Sequence, residues 1–260
     1  MASSPSRKLI SWRTRIDWAI AESRKKSFPP FIQLATVDNS QRGSPVPRCR
    51  TVVFRGFLDG GGMASAESSN QHILKIITDA RSEKVGQIRE NPLVEVTWWF
   101  PGSNEQFRIS GRAELHSFGG TLITGGATSS SVSNRANTDA VRDQWRQLKD
   151  QAREQFYWDQ PGVNFSGLGY SKERADDFET LQESGSIEDE KSSDVQMCQG
   201  EVTGIPPGGR DGSGTILDPP ETFLLLLVFP ECVKYLRLGD NFATCDDFKH
   251  GKWATARVNP

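Results

Sequence analysis

The sequence predicts an α+β domain in which a small β-barrel carries peripheral helices. Short runs rich in β-branched and aromatic residues recur along the chain, and some alternate strictly, as in Val94, Val96, Trp98 and Phe100. Two other stretches space their apolar residues for a helix instead. An acidic, then Gly/Pro-rich segment over 171–218 interrupts the pattern, and no internal repeat is present.

The elements follow in order. Leu9, Trp12, Ile16, Ala19 and Ile20 place an amphipathic helix over 8–24, ended before Pro29-Pro30. Residues 31–38 read as a strand. The turn residues of 39–47, among them Gly43, Pro45 and Pro47, lead into a strand over 48–58 and make a hairpin. Gly60-Gly61-Gly62 marks a loose insertion before a strand over 73–78. Residues 81–90 form a short helix with Val85 and Ile88 on one face, stopped at Asn91-Pro92. Strands over 93–100 and 105–115, joined at Pro101-Gly102, make a second antiparallel pair. A Gly/Ser/Thr-rich insertion, 118–134, precedes a second helix whose stripe is Val141, Trp145, Leu148, Ala152 and Phe156.

Segment 171–218 holds too little apolar surface to offset chain entropy, so it is expected to be a disordered insert within one domain spanning 1–260. Residues 223–229 read as a strand buried on both faces, 232–238 as a further strand, and 252–260 as the end of the fold.

Composition narrows the function. At 260 residues the chain holds one ordinary domain with insertions. A net charge of −2 gives no global attraction to nucleic acid or to an anionic membrane, so anion binding rests on locally placed arginines. The first residues lack the apolar core of a secretory signal, and the run 223–229 is too short to span a bilayer. Cys49, Cys198, Cys232 and Cys245 show no pairwise metal spacing, and His72, His116 and His250 stand equally far apart. No metal is expected, and unpaired thiols suit a reducing compartment, the cytoplasm.

The residues suited to chemistry begin with Arg50-Thr51-Val52-Val53-Phe54-Arg55-Gly56, a strand with a cation at each end. Further on, Ile77 and Thr78 lead to Arg81, Ser82 and Lys84 at a helix start. A terminal phosphate is held by backbone N–H groups at a helix start together with fixed cations, and Arg50 adds a planar bidentate donor from the strand. The alternative is an ordinary N-cap with solvated cations. Arg50 and Arg55 fall on opposite faces of a regular strand, so a bulge or a straddling ligand is required for both to serve one site. Gln106 lies among aromatic strand residues. Its carboxamide either reads a ring edge that offers both donor and acceptor groups, or simply alternates with core positions.

In order and spacing, Arg50–Gly56, Ile77–Val85, Asn91-Pro92 and Glu105–Arg112 resemble the pyridoxamine 5′-phosphate oxidase-like FMN-binding split barrels, in particular a plant and cyanobacterial branch. The likeness is dense over 10–115 and looser over 141–162 and 221–260. It implies a six-stranded antiparallel split β-barrel that forms a homodimer, with FMN at the subunit interface. Carried over by position, Arg50, Lys84, Thr78 and Ser82 would bind the FMN phosphate. Thr51, Val52, Val53 and Ile77 would line the cofactor, Gln106 would meet its polar edge, and Arg55 would lie near both FMN and the substrate phosphate.

Departures accompany the resemblance. Glu83 stands where the family has a second basic residue, with Arg81 as a substitute. The C-terminal Arg-Leu-His signature is absent, its region reading Leu238–Thr244. The substrate-side set of the middle helix is missing too, leaving Arg153, or Arg146, to contact substrate. The implied activity is oxidation of pyridoxamine or pyridoxine 5′-phosphate, with hydride passing to flavin N5 and oxygen as acceptor. An NAD(P)H-dependent flavin reductase on the same barrel, or a non-enzymatic FMN-binding protein using the acidic 182–194 segment for docking, are the alternatives.

Overall fold

Alternating apolar side chains drive the first hairpin. In the computed structural model, which describes residues 9–40, 44–58, 72–122, 134–162 and 206–260, β1 (Phe31–Asp38) runs antiparallel to β2 (Val46–Leu58), with Phe31 opposite Val53 and Asp38 opposite Val46. Then come β3 (Ile73–Asp79), β4 (Leu93–Phe100), β5 (Glu105–Ser117), a short β6 (Gly120–Leu122), β7 (Phe223–Arg237), β8 (Phe242–Lys249) and β9 (Lys252–Val258). The order β6-β5-β4-β1-β2-β3-β7-β8-β9, with an additional β5–β7 pairing, closes six strands into an antiparallel barrel. Ile32, Leu34, Phe54, Val96, Phe107 and Ile109 help to fill it.

Helix α1 (Trp12–Lys25), started by the Ser11 side chain accepting from the Thr14 amide, turns Trp12, Ile16 and Ala19 into this core. Helix α2 (Glu83–Glu90) adds Val85 and Ile88. The second amphipathic stripe spans not one helix but two, α3 (Asn134–Arg146) and α4 (Asp150–Glu154), followed by a 3-10 turn over Gln155–Tyr157. Val141, Trp145, Leu148 and Phe156 nevertheless share one cluster with Phe223, Leu225 and Leu227, while Leu224, Leu226 and Val228 face the barrel interior. The first half of β7 is therefore buried on both faces, which is why it reads as an unbroken apolar run.

Three differences from expectation have physical causes. The two strands expected over 223–229 and 232–238 are one, because a register shift opposite Ser110 and Gly111 absorbs Glu231 beside Pro230, which has no N–H to pair. Strand β8 was hidden by its charged residues, of which Asp246 is fully buried and accepts from Thr255 at 2.6 Å. Within the segment expected to be disordered, residues 206–218 pack on α4, with a turn at Pro207–Gly209 and a bridge between Arg210 and Ile216; residues 171–205 lie outside the described residues. The Gly60–Gly62 insertion and residues 123–133 lie outside them as well.

The cysteines are less scattered than their spacing suggests. Pairing of β7 with β8 brings the Cys232 and Cys245 sulfurs to 3.6 Å, with Asp247 beside them. Among the described residues no helix is long and apolar enough to cross a membrane.

Candidate functional site

Strand β2 outruns one of its neighbours. It pairs with β1 from Val46 to Val53, whereas β3 joins it only from Phe54 onward. Along the other edge, the backbone of Arg50–Val53 thus faces a gap, and α2 comes up to it. A register shift between Phe54 and Phe57, with Gly56 at φ +108°, bends the strand just beyond Arg55.

Arg50 and Lys84 meet at this gap. Arg50 donates to the Leu34 carbonyl at 3.1 Å, to Thr36 Oγ1 at 2.7 Å and to Gln87 Oε1 at 2.8 Å. Lys84 donates to Thr78 Oγ1 at 3.1 Å, and Thr78 lies 3.1 Å from Ser82 Oγ. These partners are all neutral. Burial pushes the Lys84 ammonium below the ordinary lysine range, and the charge of Arg50 pushes it further; burial lowers Arg50 as well. Ser82 occupies the N-cap of α2 but makes no side-chain cap bond, donating instead to the Asp79 carbonyl at 2.7 Å. The first-turn amides of α2 are left without a side-chain acceptor.

Arg81 does not join them. Its guanidinium is paired with the Asp79 carboxylate at 2.7 Å and donates to the Trp158 carbonyl at 2.7 Å, so its charge is already offset. Glu83, at the position of the missing basic residue, is exposed.

Arg50 and Arg55 do lie on opposite faces: Val52 and Phe54 are buried in the barrel beside the first, while Arg55 shares the other face with Thr51 and Val53. The bulge falls after Arg55 and does not bring the pair together. Arg55 instead lines a cavity of about 560 Å³ walled by Phe54, Trp98, Trp99 and Phe100. Among the described residues its Nε is buried without a hydrogen-bond partner, and burial lowers its pKa with no charged neighbour contributing. Gln106 is half-buried directly opposite Trp99 but is not itself among the residues that line the cavity. Val52 points inward, leaving only its backbone to face the gap, and Ile77 packs against the cluster under α3.

Arg153 is elsewhere. It is 1% exposed, donates to the Gly208 carbonyl at 2.6 Å and bonds the Leu148 carbonyl and the Asp150 carboxylate, tying α4 to the 206–217 segment. The expectation that it contacts substrate fails because its guanidinium is spent on internal acceptors. Arg146 is exposed and does not line the cavity. A residue the sequence reading passed over does line it: Gln144, 4% exposed, on the apolar face of α3. The signal was a polar residue three positions after Val141 on that buried stripe.

Residues 9–117 match the family model described as the pyridoxamine 5′-phosphate oxidase, FMN-binding domain. A protein of Arabidopsis thaliana named pyridoxine/pyridoxamine 5′-phosphate oxidase 2 is 36% identical over 104 residues, covering 40% of this chain and 46% of the relative. An uncharacterized Saccharomyces cerevisiae protein is 34% identical over 107 residues, covering 35% of this chain and 33% of its own length. The chain thus spans less than half the length of these curated relatives. Among solved structures, a pyridoxamine 5′-phosphate oxidase-related FMN-binding protein from Nostoc punctiforme superposes with a TM-score of 0.63 at 26% identity, covering 97% of this chain and 99% of that one. PhzG from Burkholderia lata shares the fold, with a TM-score of 0.57 at 13% identity over 95% of this chain and 92% of its own.

The residues present fit such a cofactor. Two half-buried cations with neutral hydrogen-bond partners, beside an open helix start, suit a phosphate monoester. The Nε of Arg55, unpartnered among the described residues in an aromatic-walled cavity, suits an acceptor or anionic group on a ligand there.

Proposed function

We propose that the chain, whose residues 9–117 match the model of the pyridoxamine 5′-phosphate oxidase FMN-binding domain, works with FMN as cofactor and oxidises pyridoxamine or pyridoxine 5′-phosphate. FMN, when bound, supplies the hydride acceptor and its reoxidation by oxygen. The protein supplies position and charge. Arg50 and Lys84, with the hydroxyls of Thr78 and Ser82, hold the cofactor phosphate. The backbone of Thr51–Val53, open on its β3 side, and the backbone of Ile77 line the gap, and Gln106 meets a ring edge. Arg55 holds the anionic group of the substrate in the cavity, where the aromatic walls exclude water and align the ring. No side chain of this set is assigned as a base.

The observation that carries this reading is the Arg50–Lys84 pair: two desolvated cations without a direct anionic partner are costly unless an anion joins them. We place the working unit as a homodimer in the cytoplasm. Phe31 at 49% and Trp99 at 40% exposure sit at the cavity, and a second copy covering them would bury apolar surface and close it.

The test is direct. Purified protein should be yellow and consume oxygen with pyridoxamine 5′-phosphate. Yellow protein inert to that substrate but bleached by NAD(P)H would replace the oxidase with a reductase, and colourless protein that ignores added FMN would overturn the cofactor site.

A further inference from the structure

Among the described residues, four buried side-chain polar atoms have no hydrogen-bond partner, and two of them, Arg55 Nε and Gln144 Oε1, belong to residues lining the same cavity. That coincidence is informative because an unpaired buried polar group is costly, and folded proteins keep few of them. The other two belong to Trp12 and His116, which do not line it. A smaller pocket beside α1, of about 140 Å³, offers a contrast: Arg15 bonds Thr244, Tyr235 bonds Glu105 and Arg237 bonds Asp240, so its polar groups are already satisfied.

Gln144 leaves its carboxamide oxygen without a hydrogen-bond partner among the described residues. It sits between Val141 and Trp145 on the buried face of α3, where an apolar side chain would pack without loss. In the same cavity, Arg55 is a donor whose charge is not offset among the described residues. A ligand joining the two must offer an acceptor or anion to the guanidinium and an O–H or N–H donor to the carboxamide oxygen. The walls of Phe54, Trp98, Trp99 and Phe100 call for a flat ring between those groups.

We propose that Gln144 is a specificity-determining residue, its carboxamide oxygen accepting a hydrogen bond from a donor on the ring of an aromatic anion that Arg55 holds by its charged group. This rests on the reading of Arg55 as a substrate contact and adds the residue that selects among such substrates. A site built to receive a donor discriminates against analogues without one, because the carbonyl is then left unpaired.

The experiment uses the FMN-loaded protein and 4-deoxypyridoxine 5′-phosphate, a ring phosphate that keeps a ring hydroxyl but carries no oxidisable 4′-group, with binding followed by calorimetry. Gln144→Leu and the length-preserving Gln144→Met should each weaken this ligand at least tenfold, while FMN affinity by fluorescence titration stays within twofold of wild type. Either variant with FMN bound normally and the ring phosphate bound as in wild type overturns the role of Gln144 alone. Wild-type protein that binds FMN but not the ring phosphate overturns the substrate reading and the proposal together. Loss of FMN affinity in both variants overturns the proposal by assigning Gln144 to the fold or the flavin.

Discussion

Arg50 presses on Lys84: its guanidinium charge, added to burial, drives the lysine ammonium toward the neutral form, while each side chain hydrogen-bonds only uncharged acceptors among the described residues. A fold built for stability alone would separate these charges or give them a carboxylate. The nearby Asp79 instead pairs with Arg81, which leaves the Arg50–Lys84 pair available for an anion.

A pH dependence follows. Lys84 is lowered in the folded protein relative to the unfolded chain, so between the two values the unfolded state binds the extra proton, and stability of the FMN-free protein rises with pH across that window. FMN requires the charged ammonium, so its affinity should fall with rising pH over the same window, below the ordinary lysine range. The second ionisation of the phosphate is complete well before then, at a pKa of about 6. Fluorescence titrations from pH 7 to 10 measure the slope. Lys84→Arg, which stays charged, should flatten it, and an identical slope in that variant would assign the effect to another group.

Arg153→Met should damage the fold and spare the site. Three acceptors, the carbonyls of Gly208 and Leu148 and the carboxylate of Asp150, lose their donor in a place where the arginine is 1% exposed. The expected cost is about 3 kcal/mol, read as a lowered midpoint in thermal unfolding, with FMN affinity within twofold of wild type. Unchanged stability with loss of ring-phosphate binding would return Arg153 to the substrate site.

Gly111 leaves no room for a side chain in the barrel seam. A Cβ there would stand 2.0 Å from the Phe229 carbonyl oxygen, across the shifted register of β5 and β7. Gly111→Ala forces two paired backbones apart, at an expected cost of about 3 kcal/mol. Chemical denaturation should show a lower midpoint, and a midpoint equal to wild type would mean that the seam is not closed as described.

The Cys232 thiol is pushed up to about 12 by burial and by its neighbours Cys245 and Asp247. As the thiolate is the reactive form, site-resolved alkylation at pH 8 should modify exposed Cys49 well before Cys232. Equal rates at the two positions would contradict the buried geometry of the β7–β8 pair.

Most of the barrel was legible because its strands announce themselves locally: the bounds of β1 and β4 follow directly from alternation. Strand β8 was not, because Asp246 and Asp247 break the apolar pattern while its partners on β7 and β9 supply the pairing. That Arg50, Thr78, Ser82 and Lys84 come together was readable in the sequence, since a strand end and a helix start both have local signatures. Arg153 was misplaced for the opposite reason. Its internal acceptors come from residues 148–150 and from Gly208, and nothing in the order of residues reveals that the 206–217 segment folds back on α4. Gln144 was overlooked because it sits in an apolar stripe, and only the shared cavity with Arg55 gives it meaning.

The central claim is that Arg50 and Lys84 together hold the phosphate of FMN, and equilibrium FMN titration by fluorescence tests it most directly. Each charge-assisted contact contributes about 1.5–3 kcal/mol, so the Arg50→Ala/Lys84→Ala double variant should bind FMN far more than tenfold more weakly than wild type. Lys84→Met, which removes a half-buried charge without opening a cavity, should leave the FMN-free protein at least as stable while still losing at least tenfold in affinity. FMN affinity unchanged in the double variant would contradict the account.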